Sequence, residues 1–166
     1  RERVRYDALA LAGLAAGALG QQEKAVRYLE QACALFPQSL LAYQILAELY
    51  LNAGEERQAQ SVYARMLRAA LWTGFEPYDV LITYARRGGQ ALEFSGRLLE
   101  ELLPAAEGDR RALAGVEYGL GHIRYLEGRR EEARAHFRRA REHLASFLKP
   151  DDPSLAKMEE LEKACQ

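Results

Sequence analysis

The chain has 166 residues, 23 basic against 24 acidic side chains, a formal net charge of −1 and 49% hydrophobic residues. That length sets one domain as the expectation, and that much apolar content in a nearly neutral chain excludes disorder. Near-neutrality also argues against nucleic acid or an anionic membrane surface as the main partner, since both need concentrated positive charge. Ala and Leu supply 28 and 26 residues, against 5 Val, 3 Ile and 2 Thr, so helices are favoured and a sheet-based fold is excluded.

The first predicted helix covers 5–19. Arg1, Arg3 and Arg5 precede the apolar run Ala8–Leu19, the order of a secretory leader. Asp7 stands at its edge, Gly13 and Gly17 interrupt it, and the run is too short to span a bilayer. An ordinary helix is the better reading. The sequence opens on Arg1 rather than Met, so a piece of a longer protein is expected. A cytoplasmic setting is expected, or a membrane-anchored or periplasmic one if a segment precedes Arg1.

Further helices are predicted at 22–35, 39–52, 55–70, 77–87, 90–103, 109–127, 130–148 and 153–164. All five prolines, Pro37, Pro77, Pro104, Pro150 and Pro153, are read as falling between helical stretches or opening them, where a missing N–H does least harm. Gly20, Gly54, Gly88–Gly89 and Gly128 cut the helices into antiparallel pairs. Residues 104–111 (PAAEGDRR) read as a loop. The final helix has Asp152 as its cap and Pro153 as its opening residue. Leu155, Met158, Leu161 and Cys165 lie on one side of it, while Lys157, Glu159, Glu160 and Lys163 stay wet.

The pairs repeat in register. Gly13, Ala47 and Gly121 are followed seven residues on by Gly20, Gly54 and Gly128, and twelve on by Ala25, Ala59 and Ala133. Sixteen residues on stand the large Leu29, Tyr63 and Phe137. Helices crossing at ~8–10 Å demand small residues at the contact and large ones beside it. The anchors at 13 and 47 are 34 residues apart, while 121 lies 74 beyond 47, leaving room for one irregular, longer hairpin.

This pattern resembles the tetratricopeptide repeat, W-x2-L-G-x2-Y, then A-x3-F, then P. The second repeat reads Tyr43-x2-Leu46-Ala47-x2-Tyr50 and Ala59-x3-Tyr63; the fourth reads Leu120-Gly121 and Ala133-x3-Phe137, with Glu117 and Arg124 in place of two aromatics. The first reads Leu9-x2-Ala12-Gly13-x2-Ala16 and Ala25-x3-Leu29, closed by Pro37. The third loses the small/large pairing around Leu92–Gly96. The resemblance implies an all-α, right-handed superhelical solenoid of antiparallel hairpins. Its repeats are expected at about 6–39, 40–73, 74–113 and 114–148, with 153–164 as capping helix, in a single domain over 1–166.

The P-loop, G-x-G-x-x-G, H-E-x-x-H, C-x-x-C and G-x-S-x-G patterns are all missing, so neither catalysis nor a cofactor is expected. His136 and His143 are seven apart, the wrong spacing for a helical metal pair, and read as solvated. Cys33 reads as a buried, inert thiol. The segment 109–142 carries nine Arg against six acids. It can be a docking face for an anion, nucleic acid or an acidic protein, or a solvated helix laced by Glu127–Arg130, Glu131–Arg134 and Arg138–Glu142. The second is preferred, because no aromatics alternate with the arginines.

The resemblance further implies a non-catalytic protein-interaction module, whose concave surface is built from the first helix of each pair and holds a peptide or helix of a partner. Projected onto this sequence, Ala10, Leu14 and Gly17 face it in the first repeat, and Gln44, Glu48, Leu51 and Asn52 in the second. Asp79, Thr83 and Arg86 follow in the third, and Tyr118, His122 and Tyr125 in the fourth. No Lys occupies these positions, so a Lys/Asn carboxylate clamp is not expected. The alternative is a structural or self-assembly segment of a larger secretion, envelope-assembly or regulatory protein.

Overall fold

The computed structural model describes residues 1–71 and 74–166; the end of the second expected repeat, at 72–73, lies outside the described residues. Among the described residues there are nine helices and no strand, so the chain is an all-α helical repeat. Two compact units are formed, Arg1–Ala70 and Leu71–Gln166.

The first unit contains α1 (Glu2–Ala18), α2 (Gln22–Leu35), α3 (Leu40–Asn52) and α4 (Glu56–Ala69). Each helix packs on the next, and α1 also rests on α3, so the two hairpins stack. The small/large pairing drives this packing. A Cβ on Gly13 would lie 2.5 Å from Leu29 Cγ, so only glycine lets α1 and α2 approach this closely. Polar clips join the hairpins: the Tyr6 hydroxyl accepts from Ser39 Oγ (2.7 Å) and from the Ala42 N–H (3.1 Å). On the other side, Arg65 grips Glu30 through two hydrogen bonds of 2.9 and 2.7 Å.

The second unit contains α5 (Glu76–Ala85), α6 (Gly89–Ala106), α7 (Arg110–Leu126), α8 (Arg130–Ala145) and α9 (Pro153–Ala164). Its spine is α7, which packs on α5, α6 and α8. Three glycines make that possible on two sides. Gly115 and Gly119 admit Tyr78 and Leu99 from the third hairpin, while a Cβ on Gly121 would meet Phe137 Cε1 at 2.5 Å. Asp109 caps α7 through the N–H groups of Arg111 (2.9 Å) and Ala112 (3.2 Å). Asp152 caps α9 through the Ser154 N–H at 2.9 Å, with Pro153 as its first residue.

Three turns share one geometry. Gly20, Gly54 and Gly128 have φ of 73°, 74° and 80°. The next residue in each case, Gln21, Glu55 or Arg129, donates its N–H back to Ala16, Tyr50 or Arg124 at 2.8–2.9 Å, a Schellman closure. The third turn differs. Arg86 and Arg87 form it without positive φ, and the left-handed residues are Gly88 and Gly89, one position later. The pairing slips with it, so small residues Ala91, Ser95 and Gly96 are buried on α6, with Gly96 against Ile123.

The loop expected over 104–111 is a correction. Helix α6 continues to Ala106 with Pro104 inside its last turn, and the link to α7 is confined to 107–109, with Gly108 at φ 86°. The extra length of the third hairpin is mainly helix: α6 has 18 residues where α2 and α4 have 14. A proline late in a helix interrupts a single hydrogen bond, and the apolar contacts of Leu102 and Ala106, both buried, outweigh it.

Candidate functional site

In the first unit, α1 and α3 carry the expected groove residues. Leu14 is 52% exposed, Glu48 and Asn52 are exposed, and Gln44 and Leu51 are half-buried. Ala10 is not among them: it is 1% exposed and belongs to the core. Gly17 is half-buried, and a Cβ there would lie 3.1 Å from Leu49 Cδ1.

In the second unit, α5 and α7 bring Asp79, Arg86, Tyr118, His122 and Tyr125 together. Tyr118 is buried, and its hydroxyl donates to Asp79 Oδ1 at 2.5 Å. Its ring packs on Phe75 (4.6 Å between centroids) and on His122 (4.7 Å). Tyr118 is therefore a scaffold for its neighbours rather than an open contact. Burial, and then the Asp79 carboxylate, push its hydroxyl pKa up. Thr83 turns its hydroxyl onto the Asp79 carbonyl, while Arg86 and Tyr125 are exposed.

His122 is half-buried, and its Nε2 is enclosed without a hydrogen-bond partner. Burial lowers its pKa to about 4, with Arg86 and Lys157 acting in the same direction against Asp79. At neutral pH it is an uncharged imidazole wedged between Tyr118 and the Phe137 ring, 5.1 Å away.

The last helix does more than close the end. Lys157 Nζ stands 5.1 Å from the Tyr118 ring centroid and 5.9 Å from that of Phe75. Leu161, Ala164 and Cys165 wall a cavity of about 290 Å³, whose other sides are Ile82, Arg86, His122, Tyr125, Leu126 and Phe137. The apolar stripe Leu155, Met158, Leu161, Cys165 marked the inner face of α9 in the sequence. Nothing in it said which side chains that face would meet.

The two charged residues that replace aromatics in the fourth repeat are both buried and both compensated. Glu117, 7% exposed, holds His136 Nδ1 at 2.5 Å and Arg139 Nε at 3.2 Å. Burial raises the Glu117 pKa, but the His136 hydrogen bond and the Arg139 charge outweigh it and hold the carboxyl below its ordinary value. Arg124, 8% exposed, donates to Glu100 and to both carboxylate oxygens of Glu127, at 3.2 and 3.1 Å. His136 is thus no solvated side chain, which corrects the expectation for that position.

The lacing expected within α8 is also replaced. Arg129 pairs with Glu127 and Glu132, Arg139 with Glu117, and Arg138 and Arg141 with the buried Glu162 of α9. Arg138, Arg139 and Arg141 reach across helices because Glu117 of α7 and Glu162 of α9 are desolvated carboxylates, which gain more from pairing than exposed ones do.

Cys33 is 2% exposed, and burial pushes its thiol pKa up to about 11. No helix among the described residues is long and apolar enough to cross a membrane. Residues 6–39 match the family model of the tetratricopeptide repeat, the bounds expected for the first repeat. No curated protein matches the chain.

Proposed function

Because the chain is a helical-repeat protein of the tetratricopeptide type, we propose that it is a non-catalytic adaptor holding a peptide or helix of a protein partner on the concave faces of its first helices. The repeat family implies protein–protein interaction in general, and its fold is generally non-catalytic. One observation carries the finer reading. Gln44, Glu48 and Leu51 recur at four- and three-residue steps along α3, and with Asn52 and Leu14 of α1 they remain exposed or half-buried while Ala42, Tyr43, Leu46 and Ala47 of α3 are core. Such a strip offers apolar contacts with polar groups interspersed, which suits an extended segment or an amphipathic helix.

The test is affinity capture with the intact chain followed by mass spectrometry, against a variant carrying Gln44→Ala, Leu51→Ala and Tyr125→Ala. Loss of the captured proteins from the variant is expected. Unchanged capture would place the contact elsewhere.

A second reading, self-assembly within a larger structure, is supported by α1 and the residue that follows it. Val4, Leu11 and Leu19 are 72%, 65% and 73% exposed. Sedimentation over a range of concentrations checks it: a mass that grows with concentration and falls back in Leu11→Glu supports assembly through α1.

A further inference from the structure

The basic side chains of the second unit fall into two sets. Arg124, Arg129, Arg138, Arg139 and Arg141 are neutralised by Glu100, Glu117, Glu127, Glu132 and Glu162. Arg86, Arg130, Arg134 and Lys157 are not, and neither are Arg87, Arg97, Arg110, Arg111, Lys149 and Lys163: among the described residues none of them has a carboxylate within ion-pairing distance.

Arg86 from the turn directly after α5, Arg130 and Arg134 from α8 and Lys157 from α9 nevertheless surround one feature. Arg86 lines the 290 Å³ cavity. Arg130 stacks its guanidinium 5.7 Å from the ring centroid of Tyr125, which also lines it. Arg134 and Arg130 both act electrostatically on Cys165 in its wall, and Arg134 Nε is enclosed with no hydrogen-bond partner. Lys157 sits over Tyr118 and acts on His122. Two of the acids nearby are engaged: Asp79 accepts from Tyr118, and Glu162 is held by Arg138 and Arg141.

The cavity itself is mostly apolar, with Ile82, Leu126, Phe137 and Leu161 in its walls and the enclosed His122 Nε2 as a polar point. An apolar hole with an unneutralised ring of cations has a complement of definite chemistry. We propose that this site takes an acidic polypeptide segment anchored by one bulky apolar side chain. The anchor fills the cavity between α5, α7, α8 and α9, and flanking carboxylates pair with Arg86, Arg130, Arg134 and Lys157. This deepens the adaptor reading and rests on it, by naming the partner's chemistry. It does not use the partner's C-terminal carboxylate, because the cations are spread around the cavity rather than gathered at one point.

Four cations, three of them exposed and Arg134 half-buried, supply steering and specificity for an anionic partner, while the apolar anchor supplies the buried area that slows dissociation. A nucleic acid would use the same cations. The cavity, however, is walled by aliphatic side chains and rings edge-on to one another, and it offers no open aromatic face for base stacking beyond Tyr125, which Arg130 already covers.

The test uses the full chain and fluorescence anisotropy. The probe is a short amidated peptide with a central leucine flanked by glutamates. Its counterparts carry glutamine for glutamate, lysine for glutamate, or alanine for leucine. Binding of the probe is expected to weaken about tenfold or more with each counterpart, and likewise with Arg86→Glu plus Arg130→Glu. Both arginines are exposed, so the fold should survive; a matching thermal transition confirms this. Arg27→Glu, on exposed α2 surface in the other unit, should leave binding unchanged. Absence of binding by the acidic probe overturns the proposal, as does binding insensitive to the arginine reversals. If the lysine counterpart binds instead and is lost with Gln44→Ala plus Leu51→Ala, the partner chemistry is wrong and the adaptor reading stands. A single-stranded oligonucleotide bound more tightly than the probe, and lost with the same arginine reversals, overturns the choice of a polypeptide.

Discussion

Gly121 of α7 faces Phe137 of α8 so closely that an added methyl group would lie 2.5 Å from Cε1 and 2.7 Å from Cδ1 of the ring. The same relationship, sixteen residues apart in sequence, joins Gly13 to Leu29 in the first hairpin. In isolation, glycine to alanine within a helix gains about 1 kcal/mol of propensity. Here the ring is 1% exposed and has nowhere to move, so overpacking wins. Gly121→Ala is expected to destabilise the chain by about 1–3 kcal/mol net, read from the urea midpoint. A neutral or stabilised variant would show that Phe137 can shift at little cost.

Tyr6 offers a smaller but cleaner case. Its hydroxyl accepts from Ser39 Oγ and from the Ala42 N–H at the start of α3, and the residue is 1% exposed. Tyr6→Phe preserves the ring and strands a buried backbone donor. The cost should be about 1–2 kcal/mol of unfolding free energy, with hydrogen exchange accelerated at Ala42. Equal stability would mean that water reaches the first turn of α3.

Glu117 makes part of the stability depend on acid pH. Its folded-state pKa is depressed, so its contribution is fully present above the ordinary value of 4.5 and is lost as pH falls through the lower folded value. Glu117→Gln should therefore be less stable than the parent at pH 7, by about 1–3 kcal/mol, since it leaves His136 and Arg139 facing a neutral amide. The gap between the two proteins should narrow as pH drops below 4.5. A gap that stays constant with pH would assign the role of Glu117 to packing alone.

His122 shifts in the same sense for a different reason. Burial disfavours its charged form, and its pKa falls from 6.5 to about 4. Between those values the unfolded chain binds a proton that the folded chain refuses. Stability is therefore full above 6.5 and is lost as pH falls toward 4. Proton NMR of the imidazole should find it neutral at pH 6, and His122→Asn should flatten that limb of the stability curve. A midpoint near 6.5 would mean that the ring is freely solvated.

Much of the fold was legible in the sequence because local rules and the repeat agree. Gly20, Gly54 and Gly128 sit where a Schellman closure needs left-handed backbone, and Gly13 and Gly121 meet Leu29 and Phe137 as the sixteen-residue spacing demands. The third hairpin was harder to read. Its turn moves the positive φ by one residue to Gly88, and Pro104 looks like a helix end although apolar burial carries α6 past it. The candidate site was legible only as a list of facing positions. Arg86, His122 and Tyr125 do border one cavity, whereas Ala10 and Tyr118 are buried.

Helical class, hairpin pairing and repeat length are set by the sequence alone, because they follow from spacings of a few residues and from one recurring steric requirement between neighbouring helices. Charge is different. Near-neutrality of the whole chain, and even the excess of arginine over 109–142, said nothing about which cations are free. That depends on partners such as Glu100 for Arg124 and Glu162 for Arg141, which lie 24 and 21 residues away on other helices. Only the packing of α6, α7, α8 and α9 brings them within reach. Electrostatic pairing acts over a few ångströms of space rather than over spacing along the chain, so tertiary structure decides which arginines are neutralised and leaves Arg86, Arg130, Arg134 and Lys157 around an apolar cavity.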